Sequence, residues 1–270
     1  MLSNQSRCTY RHLQKSLIRL SIALGVGMGI STSVSGGVAA RTPQMRSQDS
    51  SANGVLVAEA FNPPERGAPP RTTEGGTRGC GTYTPGQKPL TALTPGNAMP
   101  LTLKEHPTWY WYVPPSDSRT LEFTLLDEKD EEIIYQTNLP VPAEGGIVSH
   151  SLPADVAAPL EKGQTYHWYL AMICNPEDRT GDMVVDGWIE RIAPDRALVT
   201  QLENAPKGDR AFVYARQGIW HDALHAFAQL RQTNPDSPLI VSQWQEFLNS
   251  VELGEFTSEP FIEATEISQE

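Results

Sequence analysis

Five acidic side chains crowd one turn of this chain: Asp127, Glu128, Asp130, Glu131 and Glu132. Carboxylates in that number are what Ca²⁺ takes as ligands. The run lacks the alternating spacing and central glycine of a loop-type calcium site, so a solvated hairpin tip is expected instead. Asp178, Asp182 and Asp186, with Arg179 among them, offer loop-fixing hydrogen bonds and an ion pair more readily than a metal site. Ser149-His150-Ser151 falls in a predicted strand with no Gly-x-Ser-x-Gly elbow. Neighbours in a strand point to opposite faces, so His150 is badly placed to serve either serine as a base. His221 and His225 are four apart, share a helix face, and have a spacing that can hold a metal. No third ligand stands near them in sequence, and the intervening Asp222 is not the glutamate of a metalloprotease helix. Gly75-Gly-Thr-Arg-Gly79 precedes the first strand instead of following one, so it reads as structural and not as a phosphate loop. No cofactor and no catalytic residue is expected from these groups.

Aromatic residues carry the other chemistry. Trp109-Tyr-Trp-Tyr112 alternates, so the tryptophans take one face and Tyr110 and Tyr112 the other. In Thr165–Cys174, Tyr166, Trp168, Leu170, Met172 and Cys174 share one face, opposite His167 and Tyr169. One set must fill a core. The other set, Tyr110, Tyr112, His167 and Tyr169, is a ligand face for sugars or peptides unless the C-terminal helices cover it. His167 itself reads as a packed, hydrogen-bonded residue.

These side chains need strands beneath them. From Leu90 to Ile192 the sequence gives seven short segments broken by turn signals, at 90–93, 108–113, 119–127, 132–138, 146–152, 165–174 and 183–192. That spacing predicts an immunoglobulin-like antiparallel β-sandwich over residues 80–193. Tyr166 opens its strand after the corner Leu160-Glu-Lys-Gly163, where such sandwiches use a tyrosine hydroxyl to pin the corner. After Asp195 the period changes to that of helices, giving an α-helical module over 194–253. Asp195–Asn204 forms one helix, capped by Asp195. A helical hairpin over Arg210–Pro235 turns at Gly218, and a last helix, Pro238–Leu253, is capped by Ser237. Trp220, Phe227 and Trp244 fall on its apolar faces and form a candidate partner surface. Residues 254–270 read as an acidic, mobile tail.

The ends set the compartment. Arg7, Arg11, Lys15 and Arg19 precede a short apolar core, Leu20–Ile30, and a small-residue site at Gly36–Ala40, the pattern of a secretory signal over 1–40. The stretch is too short and glycine-rich to read as a membrane span. Losing those four basic residues leaves 17 basic against 32 acidic, a net charge of −15. Such a chain repels nucleic acid and anionic lipid. Residues 41–79, rich in Pro, Gly, Ser and Thr, read as a disordered linker, with Val55–Phe61 as its one apolar run. Cys80 and Cys174 remain after Cys8 leaves, and parity in an oxidising compartment predicts a disulfide between them.

Two resemblances add to this reading. Ala211 to Pro235 resembles a single tetratricopeptide repeat, departing from it at its start, where Lys207 and Arg210 replace the usual Trp and Leu. One repeat is fewer than a free-standing solenoid needs, so the hairpin is expected to pack on the sandwich or to join a partner's repeats. From about Phe61 to Leu253 the order of motifs resembles domain of unknown function family 928, found largely in cyanobacteria. The matching segments include Gly75-Gly-Thr-Arg-Gly-Cys80, Pro107-Thr-Trp-Tyr-Trp-Tyr-Val-Pro114, Gly163-Gln-Thr-Tyr-His-Trp168, Cys174-Asn-Pro-Glu-Asp-Arg179 and Gly187-Trp-Ile-Glu-Arg191. The resemblance implies an exported protein without an assigned activity, and brings no catalytic residues with it. The expected function is an exported, non-catalytic binding or interaction protein of the cell envelope, periplasmic or extracellular. A protein partner, or else a glycan, is its expected ligand. The alternative is a carbohydrate-binding protein or hydrolase that uses exposed aromatics and a loop carboxylate such as Asp178, Asp182 or Asp186.

Overall fold

The alternating segments become strands, and the described residues hold nine strands in two sheets. The computed structural model describes residues 61–70 and 86–262, apart from 117, 119 and 143. The expected secretory leader, most of the expected linker and Cys80 lie outside the described residues. All that is described belongs to one unit, residues 53–270. The strands are β1 (Thr91–Ala92), β2 (Leu101–Thr102), β3 (Thr108–Val113), β4 (Thr120–Asp127), β5 (Ile133–Pro140), β6 (Gly146–Ser151), β7 (Thr165–Ile173), β8 (Met183–Arg191) and β9 (Phe261–Ile262). One sheet has the order β1-β3-β6-β9 and the other β2-β8-β7-β4-β5. Both are mixed, because β2 runs parallel to β8 and β9 parallel to β6. The expectation of a purely antiparallel, seven-strand sandwich is corrected on both counts.

The inner faces of the two sheets meet in one core. Trp109, Trp111, Val113 and Val148 from one sheet pack with Leu121, Phe123, Leu125, Trp168, Leu170 and Met172 from the other. Each such side chain contributes about 1.5–3 kcal/mol by leaving water. Trp168 needs room, and β8 supplies it at Gly187. A Cβ there would lie 2.4 Å from the indole, far inside contact distance. The corner before β7 is pinned as its sequence suggests: the Glu161 amide donates to the Tyr166 hydroxyl at 2.8 Å.

Four helices follow: α1 (Arg196–Asn204), α2 (Arg210–Arg216), α3 (Trp220–Thr233) and α4 (Pro238–Asn249). Asp195 caps α1 by accepting from the Leu198 amide at 2.7 Å, and Ser237 caps α4 with Pro238 in its first turn. Gly218, at φ +70°, makes the turn between α2 and α3. The helices lie on the outer face of the four-stranded sheet and share a second core with it, in which Tyr110, Tyr112 and Ile147 meet Trp220, Phe227, Trp244 and Phe247. Strand β3 is therefore buried on both faces.

Phe61, the last residue of the apolar run that the sequence lets dock or form a short helix, is docked: it is buried against Trp220 with ring centroids 5.0 Å apart, and its amide donates to Ser250 Oγ. Beyond the module, Phe256 is buried and Phe261–Ile262 forms β9, so residues 254–262 belong to the fold and not to a mobile tail.

Candidate functional site

The four residues expected to share a ligand face are split between opposite sides of the molecule. Strands β3 and β7 belong to different sheets, so their outer faces point away from each other. Tyr110 and Tyr112 are 4% and 5% exposed beneath the helices, so of the two outcomes the sequence allows theirs is the covered one, and they are not an open stacking platform. His167 and Tyr169 lie on the outer face of the five-stranded sheet. The His167 ring stacks on Trp188 at 4.0 Å, with Nδ1 2.8 Å from Asp130 Oδ1 and Nε2 3.0 Å from Asp186 Oδ2. The Tyr169 hydroxyl stands 3.0 Å from the same Nδ1. Burial, and then the charges of Asp130 and Asp186, push that phenol up to about 12. His167 is buried and tied on every side, so it too is no open platform.

The candidate partner surface is corrected in the same way. Trp220, Phe227 and Trp244 are all 2% exposed or less. They fill the core between helices and sheet, because a hairpin without further repeats must bury its apolar faces on something else. Trp220 Nε1 donates to the Leu93 carbonyl at 2.9 Å, a bond back to the sheet.

The acidic groups are spread over separate structural tasks. Asp127 closes the β4–β5 turn by accepting from the amides of Glu131 and Glu132, which holds its carboxyl below the usual range. Asp178 caps a 3₁₀ turn through Thr180, and Asp182 pairs with Arg179 and accepts from the Cys174 amide. Asp186 belongs to the His167 cluster. Among the described residues no group of three His, Cys, Asp or Glu side chains has a metal-holding arrangement. Cys80 lies outside the described residues, so its pairing with Cys174 is a proposal.

A different feature gathers polar side chains around space. A cleft of about 480 Å³ opens where the β2–β3 connection meets α2 and α3. Lys104 and His106 come from that connection, Lys207 and Arg210 from the entry to α2, and His221, Asp222 and His225 from α3. Thr108, at the start of β3, and Ser151, at the end of β6, add hydroxyls bonded to each other at 2.7 Å. Arg191 holds this wall in place: its guanidinium is buried and bonds the Leu103 and Leu160 carbonyls and Glu105.

The cleft's ionisable groups are set by burial. Asp222 Oδ2 accepts from the Thr102 hydroxyl at 2.8 Å and the Leu103 amide at 3.0 Å. Burial nevertheless raises its carboxyl above the usual range, against those bonds and the charge of Lys104. Its Oδ1 has no hydrogen-bond partner among the described residues. Burial pushes His221 down to about 4. Neither of its ring nitrogens makes a well-formed hydrogen bond, though the Thr108 backbone slightly favours the charged ring. His225 Nδ1 stands 2.9 Å from the Tyr110 hydroxyl; burial, then Lys104, lowers its pKa. The spacing of His221 and His225 is therefore used for packing and for the cleft, with one ring inside the protein and one at its margin.

Sequence reasoning passed over most of this cleft. The usable signals were small. Asp222 is a charge on an otherwise buried turn of α3, and Lys207 and Arg210 are the places where the hairpin departs from the repeat pattern it resembles.

Comparison with known proteins gives few relatives. No curated protein sequence matches the chain. Among solved structures, one similar chain is the fn3 domain of human collagen alpha-1(XX), 18% identical, with a TM-score of 0.27 over 45% of this chain and 94% of that one. The model of the family described as Domain of Unknown Function (DUF928) matches residues 73–261, and the chain belongs to that family.

Proposed function

We propose that this protein is an exported, non-catalytic binding protein of the cell envelope, and that its ligand enters the cleft between the β2–β3 connection and helices α2 and α3. The observation that carries this reading is the cleft itself. Its volume of about 480 Å³ lies within the range of ligand sites, and its polar groups converge from the β2–β3 connection, the entry to α2, α3 and the ends of β3 and β6. The bearer of the ligand group is a protein partner or a glycan. The basic leader, with its short apolar core and small-residue site, supports export, and the immunoglobulin-like arrangement of the sandwich suits a binding module. The hydrolase alternative has less support: Asp178, Asp182 and Asp186 are each engaged in different local tasks, and the Ser151 hydroxyl is bonded to the Thr108 hydroxyl and, among the described residues, to no histidine.

A thermal-shift screen of neutral, cationic and anionic small molecules tests the reading on the full mature chain. Ala226 lines the cleft and is half-buried, so Ala226→Trp should fill the space. Ligands that raise the melting temperature of the parent and not of Ala226→Trp are expected. A screen without hits, or hits indifferent to Ala226→Trp, would overturn it.

A further inference from the structure

The cleft concentrates positive charge in a chain that has little to spare. Lys104, Lys207 and Arg210 all line it, while the whole sequence carries a formal charge of −11. Four other basic groups are ion-paired: Arg66 with Glu190, Lys88 with Glu259, Arg179 with Glu122 and Asp182, and Arg191 with Glu105. Lys129, Lys162, Arg196 and Arg231 form no ion pair among the described residues, but none of them shares the concavity of the three cleft cations. Among the described residues no acidic side chain forms an ion pair with Lys104, Lys207 or Arg210. Nε of Arg210 is moreover buried without a hydrogen-bond partner. Three cations drawn into one concavity repel each other, and a concave wall focuses their field on whatever enters. The Arg210 guanidinium, hydroxyls from Thr108 and Ser151, and two ammonium groups form a donor-rich lining.

We propose that the cleft binds its ligand through an oxyanion, a phosphate or a carboxylate, held among Lys104, Lys207 and Arg210. This rests on the cleft being a ligand site and names what it takes. Arg210 supplies planar donors suited to an oxyanion, and the lysines supply point charges. One carboxyl group, Asp222, also lines the cleft and would repel an anion if ionised. Its burial favours the neutral form, in which it donates a hydrogen bond. Nearby Glu105 is paired with Arg191. The volume exceeds that of one oxyanion, so the rest of the ligand lies against Tyr214, Ala226 and Gln229.

The experiment is isothermal titration of the mature chain with inorganic phosphate and, separately, with citrate, at low and at high salt. Saturable binding of at least one, weakened by salt, is expected. Phosphate alone points to phosphate esters as the source, and citrate alone to carboxylates. Lys207→Gln and Arg210→Gln should each weaken binding roughly tenfold or more. Lys162→Gln, on the exposed corner before β7, should leave it unchanged. Lys207 is exposed, so its variant is expected to fold, with an unaltered melting curve as the control. No binding of either oxyanion, or binding indifferent to both variants, overturns the proposal. If neutral or cationic molecules bind and Ala226→Trp abolishes them, the cleft reading stands and the oxyanion fails. If nothing binds, both fall.

Discussion

The Tyr110 hydroxyl and His225 Nδ1 stand 2.9 Å apart, joining the helix-covered face of β3 to α3 at the margin of the cleft. The tyrosine is buried and its phenol is pushed well above its ordinary range by desolvation. A buried phenol needs a partner, and His225 is the partner it has. Tyr110→Phe should therefore cost about 1 kcal/mol, and more if the ring nitrogen is left unmet. Urea unfolding of the two proteins measures this; equal midpoints would show that water serves His225 as well as the tyrosine does.

The buried histidines make stability fall in acid. His150 and His221 titrate near 4 in the fold against 6.5 when free. Between those values the unfolded chain binds protons that the folded chain refuses. Each histidine's contribution is intact above 6.5 and is lost as pH falls toward 4, at most about 3 kcal/mol apiece. Asp222 acts in the other direction: with its folded pKa raised above 3.8, it favours the fold most in acid and less as pH rises. Urea midpoints between pH 4 and 7 should drop toward the acid side. His150→Gln should flatten that slope and Asp222→Asn should steepen it. A slope that neither variant changes would assign it to other groups.

Gly187 is where the sandwich core meets the backbone of β8. A methyl at that position would lie 2.4 Å from one indole carbon of Trp168 and 2.9 Å from another. The indole is fully buried and has little space to retreat. Gly187→Ala should cost about 1–3 kcal/mol by overpacking, seen as a lowered melting temperature. An unchanged melting temperature would mean that Trp168 can shift.

The Cys80–Cys174 pairing predicts a single cross-linked peptide in non-reducing mass spectrometry of exported protein. Recovery of Cys80 as an alkylatable thiol would refute it. The two positions are 94 residues apart, and closing a loop of that size is worth about 4 kcal/mol in the chain-entropy model. Reduction should lower stability by up to that amount.

All seven predicted strand segments find a strand: β3 to β8 coincide with theirs to within about two residues at each end, the usual uncertainty of a boundary, and the short β1, Thr91–Ala92, lies inside the segment 90–93. The corner tyrosine was legible as well, because Tyr166 and Gly163 carry the geometry locally. Strands β2 and β9 were not, since two residues hold no period and each is defined by a partner far along the chain. The fate of the aromatics was half legible. Alternation placed Tyr110 opposite Trp109, but only the packing of α3 decides that both faces are buried. The cleft was least legible. Lys104, Arg210 and Asp222 belong to three elements, and no spacing in sequence announces their meeting.

Strand β9 has a consequence for how the chain is made. It covers part of one flank of β6, at Ile147 and Val148, and the Ile147 amide donates to the Pro260 carbonyl. Translation delivers β6 long before Phe261 and Ile262. In the interval that flank presents unmet amides and carbonyls beside apolar side chains, a template for wrong pairing. A nascent or prematurely stopped chain is thus at its most aggregation-prone after its core strands exist and before their clasp does, which is the window in which a chaperone would be of use.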